Sequence, residues 1–139
     1  MKEQTLPHLL NKQLKIVDVK SVLARTEDTF AWDGWGVRDI AILTDEDGNF
    51  LREGNALVGY YTGSTNEGEL QQIGRAISYD DGITWLKDKN NPVLSTSSNS
   101  WDSKVSATPW VLKIDQTYYL YYRGSTAGGI DDAVGVATS

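Results

Sequence analysis

The chain has 139 residues with no Cys, one His (His8), one Met, five Trp and seven Tyr. That length fits a single domain with a real core. The missing cysteines exclude a disulfide scaffold, a Cys nucleophile and Cys-based metal sites, and a single N-terminal His argues against a Ser-His-Asp triad or an HExxH zinc site. Thirteen Lys+Arg against nineteen Asp+Glu leave a net charge of −6, which repels phosphate backbones, so nucleic acid is not an expected partner.

No apolar run approaches the roughly 20 residues that span a bilayer, so no membrane partner is expected. Residues 1–7 (MKEQTLP) lack the apolar stretch of a signal peptide, so a soluble cytoplasmic chain is expected if that N-terminus is native. In chain order, 13–25 (QLKIVDVKSVLAR) suits a strand better than a helix because of its β-branched residues. Strands are predicted at 39–44, 56–62 and 72–78, with a long turn at Asp45-Glu46-Asp47-Gly48-Asn49. A turn at Asp80-Asp81-Gly82 leads to a short strand near 84–86. Residues 95–100 (STSSNS) form a loop. Strands then follow at 110–114, 117–122 and 134–138, the first two joined by a tight turn at Asp115-Gln116.

The strands repeat. Residues 59–78 (GYYTGSTNEGELQQIGRAIS) align without a gap on 120–139 (LYYRGSTAGGIDDAVGVATS), with nine identities in twenty. Upstream, Trp32-Asp33 matches Trp101-Asp102, and the first copy carries eight extra residues around its long turn. Three or four antiparallel strands repeated at 60–70 residues describe propeller blades, each of which buries its faces only against its neighbours. The expected fold is therefore all-β, an antiparallel β-propeller present in part over 1–139. An N-terminal segment (1–31) precedes a first blade (32–94) and a second, truncated blade (101–139). Such a sheet leaves an open edge, so either further C-terminal blades or homo-oligomerisation is expected to complete it.

The string 73–94 (IGRAISYDDGITWLKDKNNPVL), followed by a Trp-Asp blade start and 117–125 (TYYLYYRGS), resembles the five-bladed β-propeller glycoside hydrolases of families 43, 32 and 68. The resemblance covers about 32–139 and is carried by the Gly74-x-Ala76-x-Ser78…Asp81-Gly82-Ile83-x-Trp85 hairpin and the Asn91-Pro92-Val93-Leu94 exit. It implies a five-bladed fold and cleavage of glycosidic bonds in a plant or microbial glycan. Residues 78–85 also fit the Asp-box of sialidase propellers. Physically that pattern is a turn device: Asp80 accepts backbone N–H bonds, Gly82 supplies unusual dihedrals and Trp85 packs on the sheet.

Glycoside hydrolysis uses two carboxyl groups flanking the scissile bond. In the resembled enzymes an Asp-Pro pair often opens the innermost strand, and Arg38-Asp39-Ile40 stands at that place, with Ile where Pro is usual. The resemblance thus implies Asp39 as catalytic carboxylate, with Arg38 as a substrate-binding neighbour; capping a strand is the structural alternative for Asp39. In the second copy Thr108 aligns with Asp39, so a partner acid is expected beyond residue 139, and the fragment alone is expected to be inactive.

Trp32 and Trp101 recur and read as blade packing, whereas Trp35 has no counterpart and reads as a wall for a sugar ring. Arg123 replaces Thr62 inside the repeated YYxGST and faces either the funnel, as a ligand for a hydroxyl or carboxylate, or a neighbouring surface. Asp33 and Asp102 read as turn or cap residues, the tyrosine pairs as blade core, and the acidic turns 45–47 and 131–132 as solvated tips rather than calcium ligands. No cofactor or metal is expected, and the expected partner is a carbohydrate. Two other readings stay open: a non-catalytic carbohydrate-binding or structural propeller module, and a sialidase-like propeller.

Overall fold

The computed structural model describes residues 21–127 and 132–139. His8, most of the predicted strand 13–25, and Asp131 lie outside the described residues. Nine strands follow: β1 (Gly36–Ile42), β2 (Thr44–Asp45), β3 (Arg52–Glu53), β4 (Ala56–Thr65), β5 (Leu70–Ser78), β6 (Leu86–Lys87), β7 (Val105–Ile114), β8 (Thr117–Ser125) and β9 (Ala133–Thr138). A 3-10 turn lies at Asn66–Gly68. No helix among the described residues is long and apolar enough to cross a membrane.

The strands form two antiparallel units, β1-β4-β5-β6 and β7-β8-β9, joined where β5 runs parallel to β7 at Gln71↔Val105. These are two adjoining propeller blades. Their faces meet in a core of Leu43, Val58 and Val111, all buried, with Tyr60, Ile77, Tyr118 and Leu120 packed around it. Burying each such side chain stabilises the pair by roughly 1.5–3 kcal/mol. The eight extra residues make a small hairpin whose stem pairs parallel to β7 (Thr44↔Leu112, Asp45↔Lys113), so the insertion docks on the second blade. Its tip is organised by Asp45, whose Oδ1 accepts from the amides of Asp47 and Asn49.

The innermost strands begin earlier than their β-formers indicate, at Gly36 and Val105 rather than 39 and 110. Ser106 and Ala107 are buried in the crowded region where β7 meets the first blade, which selects small residues over bulky β-formers. The tyrosines are only partly core: Tyr61 and Tyr122 are buried, while Tyr121 is exposed.

The glycines shared by the two copies have a packing reason. Trp32 lies across Gly63 on β4 and Gly74 on β5, and Trp101 lies across Gly124 and Gly135 on β8 and β9. A Cβ on Gly74 would sit 2.6 Å from Trp32 Cη2, and one on Gly135 2.8 Å from Trp101 Cζ2. Each ring also meets the tyrosine of its own blade, Trp32 with Tyr61 at 5.6 Å and Trp101 with Tyr122 at 5.7 Å between centroids.

Pairing fixes which loops share a rim. Gly36↔Ser64, Thr65↔Leu70 and Val105↔Ser125 put the segment before β1, the 66–69 turn, the loop before β7 and the end of β8 at one rim. The 79–85 and 115–116 turns lie at the opposite rim. There the Ser78 hydroxyl donates to Asp80 Oδ1 at 2.8 Å, and Asp80 accepts from the Thr84 amide at 2.8 Å and the Thr84 hydroxyl at 2.6 Å. Trp85 Nε1 closes the turn onto the Gly82 carbonyl.

The bonds from Thr84, then Ser78, lower the Asp80 pKa to about 2 from its ordinary 3.8. A folded-state value below the unfolded one contributes stability that is present above about pH 4 and is lost as pH falls towards 2. The melting-temperature gap between wild type and Asp80→Asn is therefore expected to be constant above about pH 4 and to close on further acidification, as calorimetry at stepped pH would read out.

Candidate functional site

Each innermost strand carries the same bulge. The β1–β4 register slips between Arg38 and Ala41, and the β7–β8 register slips between Ala107 and Trp110. Within the slips, Asp39 has φ of 56° and Thr108 has φ of 49°. Left-handed backbone is unusual for any non-glycine residue, and especially for a β-branched one that precedes proline. The Thr108 amide is held by Thr62 Oγ1 at 2.8 Å, a bond from blade to blade. Because both copies share this conformation, the bulge is a property of the repeat, and the residue type in it separates the blades.

In the first blade that residue is a carboxylate. The Asp39 side chain keeps 40% of its surface exposed, and its Oδ2 lies 3.8 Å from Arg38 Nε, a loose ion pair on the open side of the strand. In the second blade the bulge presents the Thr108 side chain, also exposed. The structure thus pairs Arg38 with Asp39, whereas Trp35 and Arg123 line two separate cavities.

Trp35, 53% exposed, stands one residue before β1 and lines a groove with Thr29, Phe30, Thr65 and Glu67. Arg123 is held by Asp132 in a two-point pair, Nε to Oδ1 and Nη2 to Oδ2, both at 3.0 Å. It lines an interblade cavity of about 420 Å³ with Gln71, Lys104 and Ser125. Asp132 is exposed, as expected of a solvated tip, and also serves as the ion-pair partner of Arg123. Phe30 was not singled out by sequence, since it sits outside every strand pattern. The signal for it is Asp28, which turns the chain by accepting from the Phe30 amide at 2.9 Å.

Asp33 and Asp102 sit in the turns closed by Gly34 N on the Ala31 carbonyl and Ser103 N on the Ser100 carbonyl, as expected, and both are buried in the blade cores as well. Asp33 Oδ2 accepts from Lys87 Nζ at 2.5 Å and from the Tyr61 hydroxyl at 3.2 Å. Asp102 Oδ2 accepts from the Tyr122 hydroxyl at 3.0 Å and from Ser97 at 3.2 Å. Burial first, then the neighbouring carboxylate, pushes the Tyr61 hydroxyl far above the usual phenol range and Tyr122 up to about 12. These hydroxyls stay protonated donors across any physiological pH.

Breaking this network is expected to be costly. Lys87→Met leaves the Asp33 carboxylate with Tyr61 as its one side-chain donor among the described residues. Removing one partner of a fully buried pair costs about 3–5 kcal/mol. A quarter of the Lys87 side chain is exposed, so about 2–3 kcal/mol is expected, read as a shift in the urea midpoint.

No family model and no curated protein matches the chain. Solved structures do. A glycosyl hydrolase from Bacteroides ovatus superposes with a TM-score of 0.67 at 19% identity, over 89% of this chain and 37% of its own. A structure described as a glycoside hydrolase gives 0.58 at 22% identity, over 81% and 30%. An endo-1,4-β-xylanase from Bacteroides thetaiotaomicron gives 0.55 at 13% identity, over 82% and 37%. The shared feature is the fold: two propeller blades. The chain spans about a third of the length of the structures it matches.

Proposed function

We propose that the chain is part of a propeller glycoside hydrolase in which Asp39 serves as a catalytic carboxylate for cleaving a glycosidic bond. The observation that carries this reading is an exposed carboxylate at the strained bulge of the innermost strand, beside Arg38, where the sister blade has Thr108. Strained backbone clusters at working sites, and an acid there can act as base or transition-state stabiliser. Similarity in fold to glycoside hydrolases supports the assignment. A fold hosts many activities, so the residues must carry the chemistry.

The second carboxyl group that glycoside hydrolysis needs is assigned to a further blade, because the bulge of the second blade holds Thr108. Residues 1–139 are accordingly read as one part of a ring. Repeat equivalence supports this. Trp110, Tyr121, Val134 and Val136 on the second blade are exposed, whereas their first-blade counterparts Ala41, Tyr60, Ile73 and Arg75 are buried or half-buried. A further blade, or a second copy of the chain, would cover that face.

The rival reading is a non-catalytic carbohydrate-binding propeller, favoured by Thr108 and by Ile40 in the place of proline. Asp39→Asn in the intact protein separates the two. Loss of turnover on aryl glycosides with oligosaccharide binding retained supports the hydrolase. A wild-type protein that binds sugar and turns over none of them supports the module.

A further inference from the structure

Each blade buries one aspartate, and the two differ in their counter-charge. Asp33 is met by the ammonium of Lys87, which reaches it from β6 at 2.5 Å. Asp102, just as deeply buried, is met by two neutral hydroxyls, those of Tyr122 and Ser97. Among the described residues no Lys or Arg pairs with it. An ionised carboxylate held in a core without a cation is costly. The cause lies in the sheet: among the described residues β9 pairs with β8 alone, and the second blade has no strand in the place of β6.

The first blade shows what belongs in that place. Its β5 grips the whole segment 86–94 (LKDKNNPVL) along its outer edge. Lys87 pairs with Ala76 in the ladder and sends its side chain to Asp33. The Asp88 amide donates to the Arg75 carbonyl at 2.9 Å. The Asn91 side chain accepts from the Arg75 amide at 2.7 Å, and its Nδ2 donates to the Arg75 carbonyl at 2.8 Å and the Tyr61 hydroxyl at 3.3 Å. The Val93 amide closes on the Ile73 carbonyl at 2.8 Å. In the repeat, Ile73, Arg75 and Tyr61 correspond to Val134, Val136 and Tyr122. The second blade therefore presents the same edge, the same hydroxyl and the same buried carboxylate.

We infer that the outer edge of β9 is a strand-accepting surface for an extended segment that carries a cation to Asp102 and, four residues later, an amide side chain to the Val136 backbone and Tyr122. Its source is a stretch of the same polypeptide that follows β9. Main-chain bonds along an open edge supply affinity, and the two side chains fix register and selectivity. The carboxylate, not the edge, demands the cation: a neutral strand would complete the ladder and bury Asp102 further without compensating it. That assignment deepens the reading of the chain as one part of a ring and is independent of the chemistry at Asp39.

The test titrates the 139-residue chain with the synthetic peptide LKDKNNPVL, residues 86–94, and reads affinity by calorimetry. The peptide starts after Trp85 because Gly59, which makes room for that ring, is Leu120 in the second blade. Binding is expected, with Lys87→Met in the peptide weakening it about thirtyfold and Asn91→Ala about tenfold. Lys89→Met removes the same charge from an exposed position and is expected to change little. Against an Asp102→Asn chain the Lys87→Met peptide is expected to bind as well as the unmodified one, a loss of coupling that ties the lysine to that carboxylate. If the peptide orders the chain, circular dichroism reads the same ranking. In the chain alone, Asp102→Asn is expected to leave the urea midpoint unchanged or raise it, whereas Asp33→Asn lowers it.

Absence of binding by the unmodified peptide overturns the strand-accepting edge. Equal weakening by Lys87→Met and Lys89→Met, or a Lys87→Met loss that persists in Asp102→Asn, overturns the role of the cation. A midpoint that falls as far in Asp102→Asn as in Asp33→Asn does the same, by showing a carboxylate already balanced. A chain that is dimeric by native mass measurement and turns monomeric with Lys87→Met gives the strand to a second copy and overturns its assignment to the same polypeptide. None of these results touches Asp39, which is scored by turnover.

Discussion

Asp39→Asn is expected to lower kcat on a glycoside substrate by about a thousandfold, equivalent to about 4 kcal/mol of transition-state stabilisation. The amide is nearly isosteric but can neither accept a proton as base nor attack a sugar carbon. Asn is also the clean substitution for a backbone reason. Asp39 has φ of 56°, a region that Asn tolerates as well as Asp, whereas Ala would add strain and blur the result. The Arg38–Asp39 pair is loose and exposed, so stability is expected to move by less than about 0.5 kcal/mol. Turnover should therefore collapse with the melting temperature and oligosaccharide affinity close to wild type. Steady-state kinetics beside titration of the inactive variant checks this. Activity within about tenfold of wild type would remove Asp39 from the chemistry.

Gly63→Ala is expected to destabilise the fold by about 3 kcal/mol or more. The new methyl would overlap Trp32 Cζ3 and lie 2.6 Å from the Asp33 Cβ, so neither neighbour can yield without disturbing the blade core. Overpacking a rigid core costs about 1–3 kcal/mol, and expelling a Trp ring from its seat brings the larger figures of core truncation. Asp33 is tied through Lys87 and Tyr61, which closes the other direction of relief. The repeat supplies a replicate: Gly124→Ala meets Trp101 and Asp102 in the same way, and is expected to show a comparable loss. Denaturant titration of both variants is the measurement. A Gly63→Ala midpoint equal to wild type would show that the Trp seat is softer than its geometry states.

Much of this architecture is legible before any coordinates. The pairing of Trp32-Asp33 with Trp101-Asp102, and of 59–78 with 120–139, reports two copies of one unit because each copy must satisfy the same packing. Trp, Tyr and the two glycines recur together since a large ring needs a bare strand surface beneath it. Clusters of β-branched and aromatic residues mark the long strands for a similar reason: their fit to an extended backbone is a local property. The 78–85 turn is equally local, as Ser78, Asp80, Gly82, Thr84 and Trp85 satisfy one another within eight residues.

What the residue string determined, then, was the repeat, its strands, its turns and one acid standing out against Thr108. Tertiary structure alone decided that Asp33 and Asp102 are buried core ligands, because their partners Lys87, Tyr61 and Tyr122 lie far along the chain. It also decided the shared bulge at Asp39 and Thr108, which depends on strand register, and the bare ring of Phe30, which depends on what the rest of the chain leaves uncovered. Local patterns follow from bonds between near neighbours. Exposure, register and charge pairing are set by surfaces that meet only once the blades have packed.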